Sequence, residues 1–82
     1  MNNERRKMLA EINEQLEDLK NQLEEVLAEE EEAYDNLPES FQDSERGETM
    51  QEKISNMENA VSNLEDVIND LTEAKSNYQP IK

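Results

Sequence analysis

From Met50 onward the chain repeats itself in sevens: MQEKISN, MENAVSN, LEDVIND and LTEAKSN, followed by Tyr78. The first place of each repeat holds Met50, Met57, Leu64 and Leu71, and the fifth holds Ile54, Val61, Ile68 and Lys75. Side chains at alternating spacings of three and four line one stripe of an α-helix, and a stripe kept over four heptads packs on a second helix. A partner stripe lies upstream. Leu9, Ile12, Leu16, Leu19, Leu23, Val26, Glu30, Ala33 and Leu37 keep the same spacing, with Glu30 its one charged member. Glycine and proline are absent before Pro38, so nothing in this half breaks a helix.

Between the stripes stands the corner LPESFQDSERGE. Asn36 suits the left-handed residue that closes a helix, and Pro38 disfavours helical geometry at Leu37. Pro38–Ser40 can form a single turn. Asp43 or Ser44 is a natural N-cap for the second helix. Gly47 falls on the stripe of Ile54 and Val61, where its missing side chain leaves room for Phe41 or Leu37 to fold over the helix start. Pro80 disfavours helix at Gln79 and marks the end of the second helix. The expected fold is therefore all-α: one domain over 1–82, an antiparallel, coiled-coil-like two-helix hairpin. Its first helix covers about 4–36, the corner 37–45, the second helix about 46–77 and the tail 78–82. Pairing positions whose numbers add to 87 sets Leu9 on Tyr78, Ile12 on Lys75, Leu16 on Leu71, Leu19 on Ile68 and Leu23 on Leu64. It continues with Val26 on Val61, Glu30 on Met57, Ala33 on Ile54 and Leu37 on Met50.

Length then poses a problem. Eighty-two residues give one small core, which usually needs a disulfide, a metal or self-association to hold it. Cysteine and histidine are both absent, which removes disulfides and thiolate or imidazole metal sites. Leu, Ile, Val and Phe total 16 of 82 residues, a composition close to disordered chains that only the periodicity overrules. Self-association is the remaining staple. Leu27 and Tyr34 on the first helix, and Ala60, Val67 and Ala74 on the second, recur at sevens beside the main stripes. Such widening is what a homodimeric four-helix bundle, or a face for another helix, requires.

The charge narrows the partners. Twenty-two acidic and eight basic side chains give a net charge of −14, which repels a phosphate backbone and attracts a basic protein surface. Direct nucleic-acid binding is not expected. Apolar runs never exceed three residues, far short of a membrane span or signal-peptide core, so a soluble cytoplasmic protein is expected. Seven carboxylates crowd residues 24–35. From these, Glu24, Glu25, Glu29, Glu31, Glu32 and Asp35 form the candidate partner-binding patch, either a nucleic-acid-like negative surface or simply a solvated face relieved by Arg46 and Lys53. No calcium-loop pattern occurs, and a thin rod offers little of the concavity that acid–base catalysis needs. No enzyme, cofactor or metal is expected. Glu30 and Lys75 are stripe positions where a polar side chain can fix register or reach solvent along its stem. Arg5, Arg6 and Lys7 form the one basic cluster, and Ser55–Asn56, Ser62–Asn63 and Ser76–Asn77 a stripe of short polar residues.

Residues Tyr34–Ala74 also resemble a group of short acidic accessory proteins of tailed bacteriophages and prophages. The resemblance rests on Tyr34–Glu39, on Ser44–Arg46 and on the acidic heptads of Met50–Ala74. It implies a protein acting in the host cytoplasm. Combined with the charge, the leading expectation is a non-enzymatic protein that binds, and can inhibit, a host protein with a basic surface, in an anti-defence or host-takeover role. The alternative is a structural or assembly protein that self-associates or binds a partner helix through Leu27, Tyr34, Ala60, Val67 and Ala74.

Overall fold

A computed structural model describes residues 2–76, and the alignment partner Tyr78, the tail 78–82 and the stop at Pro80 lie outside them. The described residues form three helices: α1 (Asn3–Asp35), α2 (Glu39–Gln42) and α3 (Glu45–Ser76). α1 and α3 pack side by side as an antiparallel hairpin, and the short α2 fills the corner. At 33 residues, α1 is about 50 Å long. The radius of gyration is 18.7 Å, against about 12 Å for a compact domain of this length. The molecule is a rod.

Local chemistry explains each helix end. Asn2 caps α1, its side-chain oxygen accepting from the Arg5 amide at 2.8 Å. At the other end Asn36 stays right-handed (φ −84°, ψ −6°), which corrects the left-handed closure expected there. The turn closes instead through amides of Asn36 on the Glu32 carbonyl and of Leu37 on the Tyr34 carbonyl, each at 3.0 Å. Pro38 then turns the chain outward in an extended conformation (φ −56°, ψ 149°), so no left-handed residue is needed. Pro38 also starts α2, its carbonyl accepting from Phe41 and Gln42. Ser44 caps α3: its hydroxyl oxygen accepts from the Gly47 amide at 3.4 Å and donates back to the Phe41 carbonyl. Gly47 is buried. The space a side chain would fill is taken by the backbone of Phe41 and Gln42, rather than by the Phe41 ring, which is half exposed.

The seam of α3 runs as its heptads dictate, through Met50, Ile54, Met57, Val61, Leu64, Ile68 and Leu71, all at least partly buried. The seam of α1 does not. Leu9, Leu16, Leu23, Glu30 and Leu37 face inward, but Ile12, Leu19, Val26 and Ala33 are exposed, and Asn13, Lys20, Leu27 and Tyr34 take the seam instead. The helix is rotated by about one residue from the expected packing, which is therefore corrected on this half. Two sets of hydrogen bonds hold that rotation. Near the corner, Gln42 Nε2 donates to the Tyr34 carbonyl at 3.0 Å. Near the open end, Asn13 Nδ2 donates to Thr72 Oγ1 at 3.0 Å and to the Ile68 carbonyl at 3.4 Å. The Asn13–Thr72 pair lies within two residues of the expected alignment.

Asn13 is thus the buried polar residue of the seam (8% exposed), while Glu30 and Lys75 are only partly covered. Its Oδ1 is buried without a hydrogen-bond partner. A polar residue in such a seam aligns helices at a cost in stability. Asn13→Leu is expected to raise stability by about 1 kcal/mol, read as a higher midpoint in thermal unfolding. Thr72 is left satisfied, since its hydroxyl also donates to the Ile68 carbonyl at 2.8 Å.

Candidate functional site

The rotation of α1 gives the hairpin two unlike sides. In a 3.6-residue turn, Ile12, Leu19 and Val26 stand about a quarter turn from the α1 seam, and Ala60, Val67 and Ala74 about a quarter turn from the α3 seam. Because the two helices run in opposite directions, both quarter turns open on the same side of the rod. The opposite side carries Glu17, Glu24 and Glu31 from α1 with Gln51, Glu58 and Glu65 from α3. Contacts agree with this geometry: Glu31, Tyr34 and Asp35 of α1 line one recess together with Gln51, Ile54 and Glu58 of α3.

That recess is shallow, with a volume of about 300 Å³. Half-buried Tyr34 and Ile54 line it together with the exposed Glu31, Asp35 and Glu58. The seam positions of Tyr34 and Ile54 place the apolar atoms between the helices, and the quarter-turn positions of Glu31 and Glu58 place the charge at the edges. Carboxylates around an aromatic and aliphatic floor suit the end of a lysine or arginine side chain, which gains charge pairing and ring contact together. Glu29 and Glu32 line a second depression with Ala33 and Asn36 on the outer surface of α1. All six candidate carboxylates are exposed. The structure brings Glu31 and Asp35 into the recess, with Glu24 two turns along the same side. It leaves Glu25, Glu29 and Glu32 on the outward surface. Arg46 and Lys53 are exposed as well, and among the described residues no ion pair joins them to these carboxylates.

The candidate apolar flank divides. Val67 (43% exposed) and Ala74 are open, Ala60 is half-buried, and Leu27 and Tyr34 are drawn into the seam. Their places outside are taken by Met8 (60%), Ile12 (42%), Leu19 (53%) and Val26 (51%). The apolar character of Ile12, Leu19 and Val26 fits either column, so spacing alone places them in the core. Gln51 and Glu58 carry no signal of their own in the sequence. Nothing in a heptad identifies them until the pairing with Glu31 and Tyr34 is known.

Among the described residues no group of three or more acidic side chains is placed to hold a metal ion, and no helix is long and apolar enough to cross a membrane. Comparison with protein-family models, with curated proteins and with solved structures found no match.

Proposed function

We propose that the protein is a non-enzymatic binder, a small acidic helical hairpin of bacteriophage accessory type that docks its acidic side on a basic surface of a host protein. The observation that carries this reading is the recess of Glu31, Asp35 and Glu58 around Tyr34 and Ile54. It offers a cationic side chain both charge and a desolvating floor. The net charge of −14 adds steering toward positive partners, and the corner resemblance to phage accessory proteins supplies the host setting. A basic surface that handles nucleic acid is the natural target of such a side.

The other side of the rod supports a second role in the same molecule. Met8, Ile12, Leu19, Val26 and Val67 are each more than 40% exposed, and so regular an apolar surface favours a second copy packing there as a four-helix bundle. Binder and bundle are compatible, because they use opposite sides.

Affinity capture from bacterial lysate, washed at low and at high salt, tests the binding role. A basic protein retained at low salt and released at high salt is the expected result, since exposed charge pairs are screened beyond about 10 Å at 0.1 M salt. A partner held equally at both salt concentrations would instead assign the interaction to the apolar side.

A further inference from the structure

We infer that two copies of the chain pack their apolar sides together with the hairpins running in opposite directions, each copy's Arg5–Lys7 segment lying beside the other's Glu29–Glu32. The inference rests on the self-association proposed above and adds its geometry. Three observations carry it.

The first is area. The chain exposes 6457 Å², whereas a compact monomer of 9.6 kDa exposes about 5,100 Å². The excess, about 1,400 Å², is larger than the roughly 800 Å² that each partner buries in a standard stable interface. Only Val61 and Ile68 are buried apolar residues among those described, so a second layer is also what the core lacks.

The second is shape. Ile12, Leu19 and Val26 lie level with Ala74, Val67 and Ala60, respectively, which gives the apolar side three rungs centred on Leu19 and Val67. If a two-fold axis crosses the rod at that middle rung, Leu19 meets Leu19 of the other copy and Val67 meets Val67. Ile12 then meets Val26, and Ala60 meets Ala74. Every rung finds an apolar partner.

The third is charge, which decides between the two ways of closing such faces. With the hairpins running the same way, the seven carboxylates of residues 24–35 from both copies would crowd one end of the bundle. With the hairpins opposed, these runs go to opposite ends. Each then comes level with Arg5, Arg6 and Lys7, the one basic cluster. Like-charge crowding disfavours the first arrangement, and opposite charge favours the second.

The chain has no cysteine, so single cysteines report the arrangement cleanly. Leu19→Cys sits on an exposed position and leaves the hairpin intact. Under oxidising conditions it is expected to form a disulfide-linked dimer with itself, and a mixture of Ile12→Cys and Val26→Cys chains is expected to link to each other. In the same-direction arrangement Leu19 would face Val67 of the other copy, with its own copy about 14 Å away across the bundle, too far for a disulfide. Cross-linking of Leu19→Cys to Val67→Cys in place of self-linking therefore overturns the opposed geometry and leaves self-association standing. Sedimentation showing a monomer up to millimolar concentration overturns both. A charge reversal adds a second readout. Arg5, in the column of Ile12 and Leu19, comes level with Ala33 of the other copy, one turn from Glu29. Arg5→Glu is therefore expected to weaken dimerisation several-fold, and Glu29→Lys is expected to restore it. Absence of that rescue would contradict the pairing of the two segments.

Discussion

Gly47→Ala is expected to destabilise the protein by about 3 kcal/mol or more, beyond the usual cost of one added methyl in a packed site. The added Cβ would stand 2.6 Å from the Phe41 carbonyl oxygen and from the Gln42 carbonyl carbon, and closer still to the Gln42 carbonyl oxygen. These are backbone atoms and cannot swing aside. The corner is also held from both ends: Ser44 caps α3, and Gln42 donates to the Tyr34 carbonyl. Relief therefore requires moving α2 as a unit, with loss of the bonds that set the rotation of α1. Glycine is ordinarily the poorer helix former by about 1 kcal/mol, so an alanine that destabilises inside a helix is an unambiguous sign of steric exclusion. Thermal unfolding followed by circular dichroism reads the effect, with Ser62→Ala on the exposed surface of α3 as a control expected to stay within about 0.5 kcal/mol. Equal melting temperatures for the two variants would show that the corner is looser than described.

Ile68→Asp is expected to have an effect of similar or greater size and to abolish cooperative unfolding. Ile68 and Val61 are each 8% exposed and are the best-covered apolar residues among those described. Removing a buried isoleucine side chain costs about 2–5 kcal/mol, and placing a carboxylate there adds an unpaired charge beside the apolar seam. The Ile68 carbonyl also accepts from Asn13 and Thr72, so disturbance at this position spreads to the bonds that align the helices. The informative comparison is Ile12→Asp. Both residues are isoleucines on heptad stripes, but Ile12 is 42% exposed. Its replacement should leave the hairpin helical at high dilution and lose only self-association. Equal loss of helicity in both variants would mean that Ile12 belongs to the intramolecular core after all.

The contrast between these two isoleucines shows what can be read from such a chain. In α3 the apolar residues occupy one pair of heptad columns without competition, and the seam follows them. In α1 the column of Leu9, Leu16 and Leu23 is flanked by two others. Ile12, Leu19 and Val26 are the more apolar, yet Asn13, Lys20, Leu27 and Tyr34 face α3. Periodicity alone could not settle which flank turns inward. The decision lies in the corner hydrogen bonds and in Asn13, whose partners are 55 and 59 residues away. The candidate site obeys the same logic. The concentration of carboxylates near the end of α1 is plain in the sequence. Its division into a recess side and an outward side depends on which α3 residues stand opposite, and so Gln51 and Glu58 become visible only in three dimensions. Gly47 is legible as a space, though not as one occupied by backbone.

In the proposed complex the recess side, rather than negative charge in general, makes the partner contact, and two charge-matched variants separate these alternatives. Glu31→Lys with Glu58→Lys reverses the edges of the recess, while Asp18→Lys with Glu25→Lys makes the same change in net charge on the exposed outward surface of α1. Binding of each to the basic protein captured at low salt would be measured by titration calorimetry. The recess variant should lose binding by at least about a hundred-fold, as expected when charge pairs at a partly desolvated contact are reversed, and the outward variant should remain within a few-fold of the unmodified chain. Equal losses in the two variants would contradict the claim and reduce the acidic side to an undirected electrostatic field.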